Sequence, residues 1–187
     1  MTAHEKPSSD VMTSIERAAA GDGPTLLMNA SNFYYTGPLY FGTGLTKMTL
    51  LFDTGSPELT MNISTCTTCK GPKYDCTGCT FTGINKTTSY YDGTSYTGER
   101  CKTKTCPINS ATACIPTFQF LCIKQSNDAS TTIAGILGLG RKGTSYDGEY
   151  YMDELFKAGV ISSKEFSISF DTFTNNSYID YGPADKT

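Results

Sequence analysis

The sequence is poor in histidine, the side chain that most often serves as a general base near neutral pH. It contains a single histidine, His4, and no tryptophan. Serine and cysteine hydrolases need a base beside the nucleophile, and that base is usually a histidine. His4 lies in a polar amino-terminal stretch, so we expect it to lie outside the folded domain. A Ser-His or Cys-His mechanism is therefore excluded.

Basic clusters and long apolar runs are also missing. The chain has 15 Lys and Arg residues against 18 Asp and Glu, a net charge of −3, and no basic residues on a repeating face. This argues against a nucleic-acid partner. No apolar run approaches the roughly 20 residues that span a membrane, and residues 1–23 do not read as a secretory signal.

The residues that are present favour a mostly β fold. The 187 residues suit one domain and include 12 Tyr, 10 Phe and 18 Gly, a mixture typical of strands and turns. We assign residues 1–30 to a polar leader or pro-segment remnant, with a weak helix from Ser9 to Ala20. Strands are predicted at 33–35, 39–41, 47–52, 115–123, 133–139, 166–170 and 178–181, a hairpin at 88–100, and a helix at 150–158.

Eight cysteines are confined to the middle of the chain, at positions 66, 69, 76, 79, 101, 106, 114 and 122. This clustering predicts a local disulfide framework without giving its connectivity. The four cysteines Cys66, Cys69, Cys76 and Cys79 could instead form a tetrahedral zinc site. Their central spacing is short for such a site, and four further cysteines need an explanation. We therefore favour disulfides and an oxidising compartment, which glycosylation acceptors at 29, 62, 85 and 175 also suit.

Asp53 stands in a sequence pattern that indicates a functional site. Asp53 opens the turn Asp53-Thr54-Gly55-Ser56 directly after the apolar residues Leu50-Leu51-Phe52. A buried strand would deliver its carboxylate onto a turn where glycine lets the backbone approach closely.

Three further motifs surround this turn in a definite order. Before it stands Tyr35-x4-Tyr40-x-Gly42-Thr43, and after it stand Tyr91-Asp92-Gly93-Thr94-Ser95-x2-Gly98 and Gly135-Ile136-Leu137-Gly138-Leu139-Gly140. In this order the motifs resemble the amino-terminal lobe of the pepsin-like aspartic proteases. The resemblance implies that residues 31–187 form a closed or folded β-sheet, a barrel-like domain with one or two short helices.

The resemblance also implies roles for nine residues. Those of the catalytic turn are Asp53, Thr54, Gly55 and Ser56, and those that would contact the substrate are Tyr91, Asp92, Gly93, Leu51 and Ile136. In this family two aspartates, one from each lobe, activate a water molecule without a metal or other cofactor. Tyr91 would be the aromatic residue of a flap over the scissile peptide bond, and Leu51 and Ile136 would line an apolar specificity pocket.

The chain departs from the family pattern at three points. Thr60 and Ala134 stand where the family usually has Trp and Asp, and no second Asp-Thr/Ser-Gly turn is present. The missing carboxylate would come from a second lobe, carried by a longer parent chain or by a second copy in a homodimer. The alternatives are a catalytically silent peptide-binding module and a cysteine-rich zinc-binding domain. The family expectation for the compartment is secretion or an acidic endosomal or lysosomal vesicle.

Overall fold

The computed structural model describes residues 34–144, 146–170 and 177–183, together with the backbone of two strands at 24–26 and 28–31. The strands are β1 (Pro24–Leu26), β2 (Met28–Ser31), β3 (Tyr34–Phe41), β4 (Thr46–Asp53), β5 (Thr60–Asn62), β6 (Thr80–Ser89), β7 (Ser95–Cys106), β8 (Ile115–Ser126), β9 (Gly135–Gly138), β10 (Phe166–Ser169) and β11 (Tyr178–Tyr181). The helix α1 (Tyr151–Lys157) lies between β9 and β10.

Eight of these strands form one large sheet in the order β2-β3-β4-β9-β5-β8-β7-β6. An additional pairing of β3 with β7 joins Tyr40 to Cys106 and Phe41 to Thr105, and it closes six of the strands into a ring. This arrangement confirms the predicted mostly β fold.

Strand β9 is one of the six strands of the ring and lies between β4 and β5. It runs parallel to β4, with Leu51 opposite Ile136 and Asp53 opposite Gly138, and antiparallel to β5. All four of its residues are buried, as expected for a strand covered on both faces. Because β4 and β9 are parallel, both end at the same edge of the sheet, where the Asp53 turn begins.

The core forms because apolar residues alternate along the strands that flank it. In β4 the side chains of Met48, Leu50 and Phe52 point inward and are buried, so Leu51 and Asp53 lie on the opposite face. Helix α1 covers one end of this core with three buried side chains, Tyr151, Met152 and Leu155. Gly159 ends the helix with a φ of 69°, a conformation that glycine adopts without strain.

A second, three-stranded sheet has the order β1-β11-β10. Strands β1 and β2 fall largely within residues 1–30, the segment assigned above to a leader, and they pair with β11 and β3 of the lobe. The predicted helix at residues 9–20 lies outside the described residues. Within the described part of the chain, no helix is both long and apolar enough to cross a membrane.

Most of the predicted strands, the hairpin and the helix are present, with shifted ends. The two short strands predicted at 33–35 and 39–41 are wrong in detail, because β3 runs unbroken through Pro38. Strand β5 was not predicted, since three buried residues, Thr60 to Asn62, carry no alternating pattern. It is defined by pairing with β8 and β9, which are distant in sequence.

Candidate active site

The Asp53 carboxylate is held by groups of its own turn. The Gly55 N–H donates to Oδ1 at 2.8 Å, and the Ser56 hydroxyl donates to Oδ2 at 2.6 Å. Hydrogen bonds to a carboxylate are stronger than neutral ones, and they fix its orientation. A Cβ added at Gly55 would lie 3.1 Å from Oδ1, which is tight and explains the glycine. Asp53 itself stays partly exposed.

The turn is fixed from behind by the backbone that continues from β9. Leu139 N–H donates to the Asp53 carbonyl at 2.7 Å, and Gly140 N–H donates to the Ser56 carbonyl at 2.8 Å. Gly138 N–H donates to the Glu58 carbonyl at 3.1 Å. A Cβ at Gly138 would lie 2.4 Å from the Glu58 nitrogen. The glycines of this motif therefore allow two backbone segments to touch behind the carboxylate.

Strands β6 and β7 form a hairpin at one edge of the large sheet, and its tip is the segment 90–94. Tyr90 N–H donates to the Thr94 carbonyl at 2.8 Å, and Gly93, with a φ of 86°, donates to the Tyr90 carbonyl at 3.1 Å. Asp92 Oδ1 accepts the Thr94 N–H at 2.9 Å. The Asn127 amide donates to the Gly93 carbonyl at 3.0 Å, which ties the tip to the end of β8.

The structure places Tyr90, and not Tyr91, on the side of the hairpin that faces the Asp53 turn. The Tyr91 side chain is fully exposed. Tyr90 is half-buried and packs edge-to-face on Tyr96, with the ring centroids 5.4 Å apart. Its hydroxyl is buried near the Ser56 and Thr60 hydroxyls, although no hydrogen bond of normal geometry reaches it among the described residues.

The electrostatics agree with this placement of Tyr90. Burial raises the pKa of the Tyr90 phenol well above its ordinary value, and the negative charges of Glu58 and Asp53 raise it further. The phenol therefore stays protonated and remains a hydrogen-bond donor. In the structure residues 86, 88 and 90 are less exposed than their neighbours, which puts Tyr90 on the inner face of the hairpin. The residue types from 86 to 91, Lys-Thr-Thr-Ser-Tyr-Tyr, carry no such alternation, so the sequence alone does not identify Tyr90.

Leu51 and Ile136, the two residues expected to line an apolar pocket, lie next to each other in the sheet. They are opposite each other in the parallel pair of β4 and β9, Ile136 is buried and Leu51 is partly exposed. Both pack in one apolar cluster with Tyr90. Thr60 lies beside them, and its hydroxyl accepts the Ile136 N–H at 3.2 Å. An apolar surface therefore lies next to the Asp53 turn and beneath the hairpin.

All eight cysteines are paired in disulfides. The pairs are Cys66–Cys69, Cys76–Cys79, Cys101–Cys122 and Cys106–Cys114. The zinc set considered from the sequence is not assembled, because Cys66 and Cys69 pack in a different cluster from Cys76. The sulfurs that do converge are those of Cys76, Cys79, Cys101 and Cys122, all within 4.8 Å of one another. In disulfide form these sulfurs have no thiolate to offer a metal.

Comparison with protein families agrees with this geometry. The family model described as eukaryotic aspartyl protease matches residues 34–187. The chain therefore belongs to the eukaryotic aspartyl protease family, which is pepsin-like, and this supports a protease-like function in general. No curated protein matches the chain.

Proposed function

We propose that this chain supplies one catalytic half of an aspartic endopeptidase, with Asp53 as one of two carboxylates that activate water. The observation that carries the proposal is the Asp53 turn itself. A buried strand ends in a partly exposed carboxylate whose two oxygens each accept a short hydrogen bond from the turn. The carboxylate is thus oriented before any substrate binds.

Peptide hydrolysis at this site requires a second carboxylate. Two carboxylates about 3 Å apart cannot both ionise easily, so they share a proton, and one acts as base while the other acts as acid. The sequence contains one Asp-Thr/Ser-Gly turn. We propose that the second turn is carried by another pepsin-like lobe, in a longer parent chain or in a second copy of this chain. The exposed Thr54 side chain would contact the corresponding turn of that lobe.

An exposed apolar region near the smaller sheet supports such a partner. Phe170 follows β10, its side chain is 60% exposed, and its ring packs on Tyr35 at 4.7 Å. Tyr34 is also exposed. We propose that these exposed aromatic side chains contact another protein. The occupant we propose is the second lobe.

The substrate would be an extended peptide bound between the Asp53 turn and the hairpin. The Gly55 carbonyl and the backbone of Asp92 and Gly93 would hydrogen-bond to it. The apolar surface of Leu51 and Ile136 would accept a bulky apolar side chain. Tyr90 takes the covering role in this proposal, in place of Tyr91, and the hairpin would exclude water from the reacting bond.

The four disulfides favour an oxidising compartment, so we propose secretion or an acidic endosomal or lysosomal vesicle. Of the glycosylation acceptors, Asn85 is exposed on β6, whereas Asn62 is buried at 7% exposure. A glycan at Asn85 is compatible with the fold, and one at Asn62 is not. Peptide mapping by mass spectrometry of the protein from a eukaryotic host tests this.

The test of the enzyme is cleavage of a general protein substrate at about pH 3 to 5, where a dyad is singly protonated. With the second lobe present, as a homodimer of this chain or within a longer parent chain, we expect cleavage that is lost in Asp53→Asn and blocked by a transition-state peptide inhibitor. Asp75→Asn is the matched control. Like Asp53, Asp75 accepts a backbone N–H from the residue two positions later, here Thr77 at 3.1 Å. It lies in the cysteine-rich loop and not in the Asp53 turn. Equal activity of wild type and Asp53→Asn would contradict the proposal.

The dependence of the rate on protein concentration identifies the second lobe. A homodimer gives a specific activity that rises with concentration, whereas a lobe in the same polypeptide gives one that does not. The second candidate function is a silent peptide-binding module, which the single Asp-Thr-Gly turn of the sequence favours. That module would bind an apolar peptide without cleaving it.

A further inference from the structure

Glu58 is a buried carboxylate that the proposed mechanism does not use. It lies in the loop after the Asp53 turn and is only 3% exposed. A buried carboxylate is costly unless charged or hydrogen-bonding partners surround it. A buried carboxylate with several hydrogen-bonding or charged partners therefore indicates that the side chain has a specific structural role.

The partners of Glu58 all belong to the hairpin of β6 and β7. Lys86 Nζ donates to Oε1 at 3.2 Å, and the Thr88 hydroxyl donates to Oε2 at 3.0 Å. Both residues are on β6. Arg100, on β7, is 2% exposed and places Nη2 3.6 Å from Oε1. The same guanidinium also donates to the Asp147 carboxylate. One carboxylate thus contacts both strands of the hairpin.

At its other end Glu58 is fixed to the catalytic turn. Its carbonyl accepts the Gly138 N–H, and two residues earlier the Ser56 hydroxyl binds the Asp53 carboxylate. The backbone that carries Glu58 is in contact with β9 and cannot move away from the turn by itself. The side chain therefore connects a rigid element to the hairpin.

The connection has a direct relation to Tyr90. Lys86 and Thr88 alternate along β6, and Tyr90, the first residue after the strand, continues the same alternation onto the inner face. When Glu58 binds Lys86 and Thr88, the Tyr90 ring is held over the Asp53 turn. The buried Tyr90 hydroxyl has no hydrogen bond of its own that would hold it there, among the described residues. The ring is positioned by packing on Tyr96 and on the cluster of Leu51 and Ile136, together with the strand that precedes it.

We propose that Glu58 is a positioning residue which holds the β6–β7 hairpin closed over the Asp53 turn through Lys86, Thr88 and Arg100. The inference rests on the proposed function, because it treats the hairpin as the flap of the site. Loss of Glu58 leaves the carboxylate of Asp53 in place and frees the hairpin.

Amide hydrogen exchange of the complete chain tests this without requiring activity. The reporters are the Tyr90 and Gly93 amides, whose hydrogen bonds close the hairpin tip. Thr88→Val removes the hydroxyl, and Thr88→Ser retains it. Because each bond to the carboxylate is charge-assisted, we expect Thr88→Val and Glu58→Gln to accelerate exchange of both reporters roughly tenfold. Thr88→Ser should restore the slow exchange.

The matched control is Glu99→Gln. Glu99 is on β7 of the same hairpin, but it bonds to Lys124 at 2.7 Å and to the Gly83 N–H at 2.8 Å. This variant should leave the tip unchanged, and in every variant the Ala158 amide of the helix end should exchange as in wild type. The proposal is overturned if Thr88→Val exchanges like wild type, or if Glu99→Gln accelerates the tip equally. These results are independent of Asp53→Asn, so failure of the proposed function would be seen separately in the cleavage assay.

Discussion

Replacing Gly138 by alanine should both destabilise the protein and disturb the Asp53 turn. The added Cβ would lie 2.4 Å from the Glu58 nitrogen and 2.6 Å from the Glu58 oxygen and the Pro57 carbonyl carbon. All three are backbone atoms, so no side-chain rotation can relieve the contact. Strand β9 and the segment that carries Glu58 must therefore separate.

The magnitude follows from two contributions. Overpacking a tight interior contact costs about 1–3 kcal/mol, and weakening the Gly138 to Glu58 hydrogen bond adds about 0.5–1.5 kcal/mol. We expect a loss of about 2–4 kcal/mol in the free energy of unfolding. For a chain of this size each kcal/mol lowers the melting temperature by roughly 2–4 °C, so the expected decrease is about 5–15 °C.

Differential scanning calorimetry of Gly138→Ala beside Gly44→Ala measures this effect. An added Cβ at Gly44 meets no atom within 4 Å, so that variant should stay close to wild type. Peptide cleavage or inhibitor binding should also weaken in Gly138→Ala alone. Equal melting temperatures for the two variants would show that β9 does not press against the turn, and the account of how the site is built would be refuted.

Three further predictions follow from the structure. Tyr90→Phe should lower kcat/KM for peptide cleavage several-fold whereas Tyr91→Phe should not, because only Tyr90 faces the turn; equal kinetics would contradict this. Replacing both cysteines of Cys101–Cys122 by serine should lower the free energy of unfolding, measured with urea, by about 3 kcal/mol, and the same change at Cys66–Cys69 should lower it by about 1.5 kcal/mol. The difference arises because the two disulfides close loops of 21 and 3 residues. Equal losses would contradict the chain-entropy argument. The hydrogen bond from Arg100 lowers the pKa of Asp147. The stabilisation from this pair is therefore present above the pKa of an unfolded aspartate, near pH 4, and is lost as the pH falls below about 4. The urea midpoint of Asp147→Asn should decline less than that of wild type over this range, and parallel curves would refute the pairing.

Local patterns in the sequence predicted the elements that hold the catalytic turn. The apolar residues Leu50-Leu51-Phe52 predicted the strand that ends at Asp53, and the glycine of the turn indicated a close backbone approach. The helix was readable from its apolar spacing and from Gly159 at its end. These features depend on neighbours within a few residues, so composition and periodicity carry them.

The contacts between distant segments were not readable in this way. Strand β5 exists through its pairing with β8 and β9, and the ring closes through β3 and β7. Glu58 reads as an ordinary polar residue after Pro57, because its partners Lys86 and Thr88 lie 28 and 30 positions away. The choice between Tyr90 and Tyr91 depends on a one-residue difference in register, which reverses the face that a side chain occupies.

Binding of a transition-state peptide inhibitor at about pH 4 tests the central claim most directly, because such a molecule places a hydroxyl where the attacked water would lie. Isothermal titration calorimetry would compare wild type, Asp53→Asn and Asp75→Asn. A hydrogen bond to a charged carboxylate is worth about 1.5–3 kcal/mol, so the account predicts that Asp53→Asn binds at least about tenfold more weakly and that Asp75→Asn binds like wild type. Equal affinity of Asp53→Asn and wild type would contradict a catalytic role for the Asp53 carboxylate.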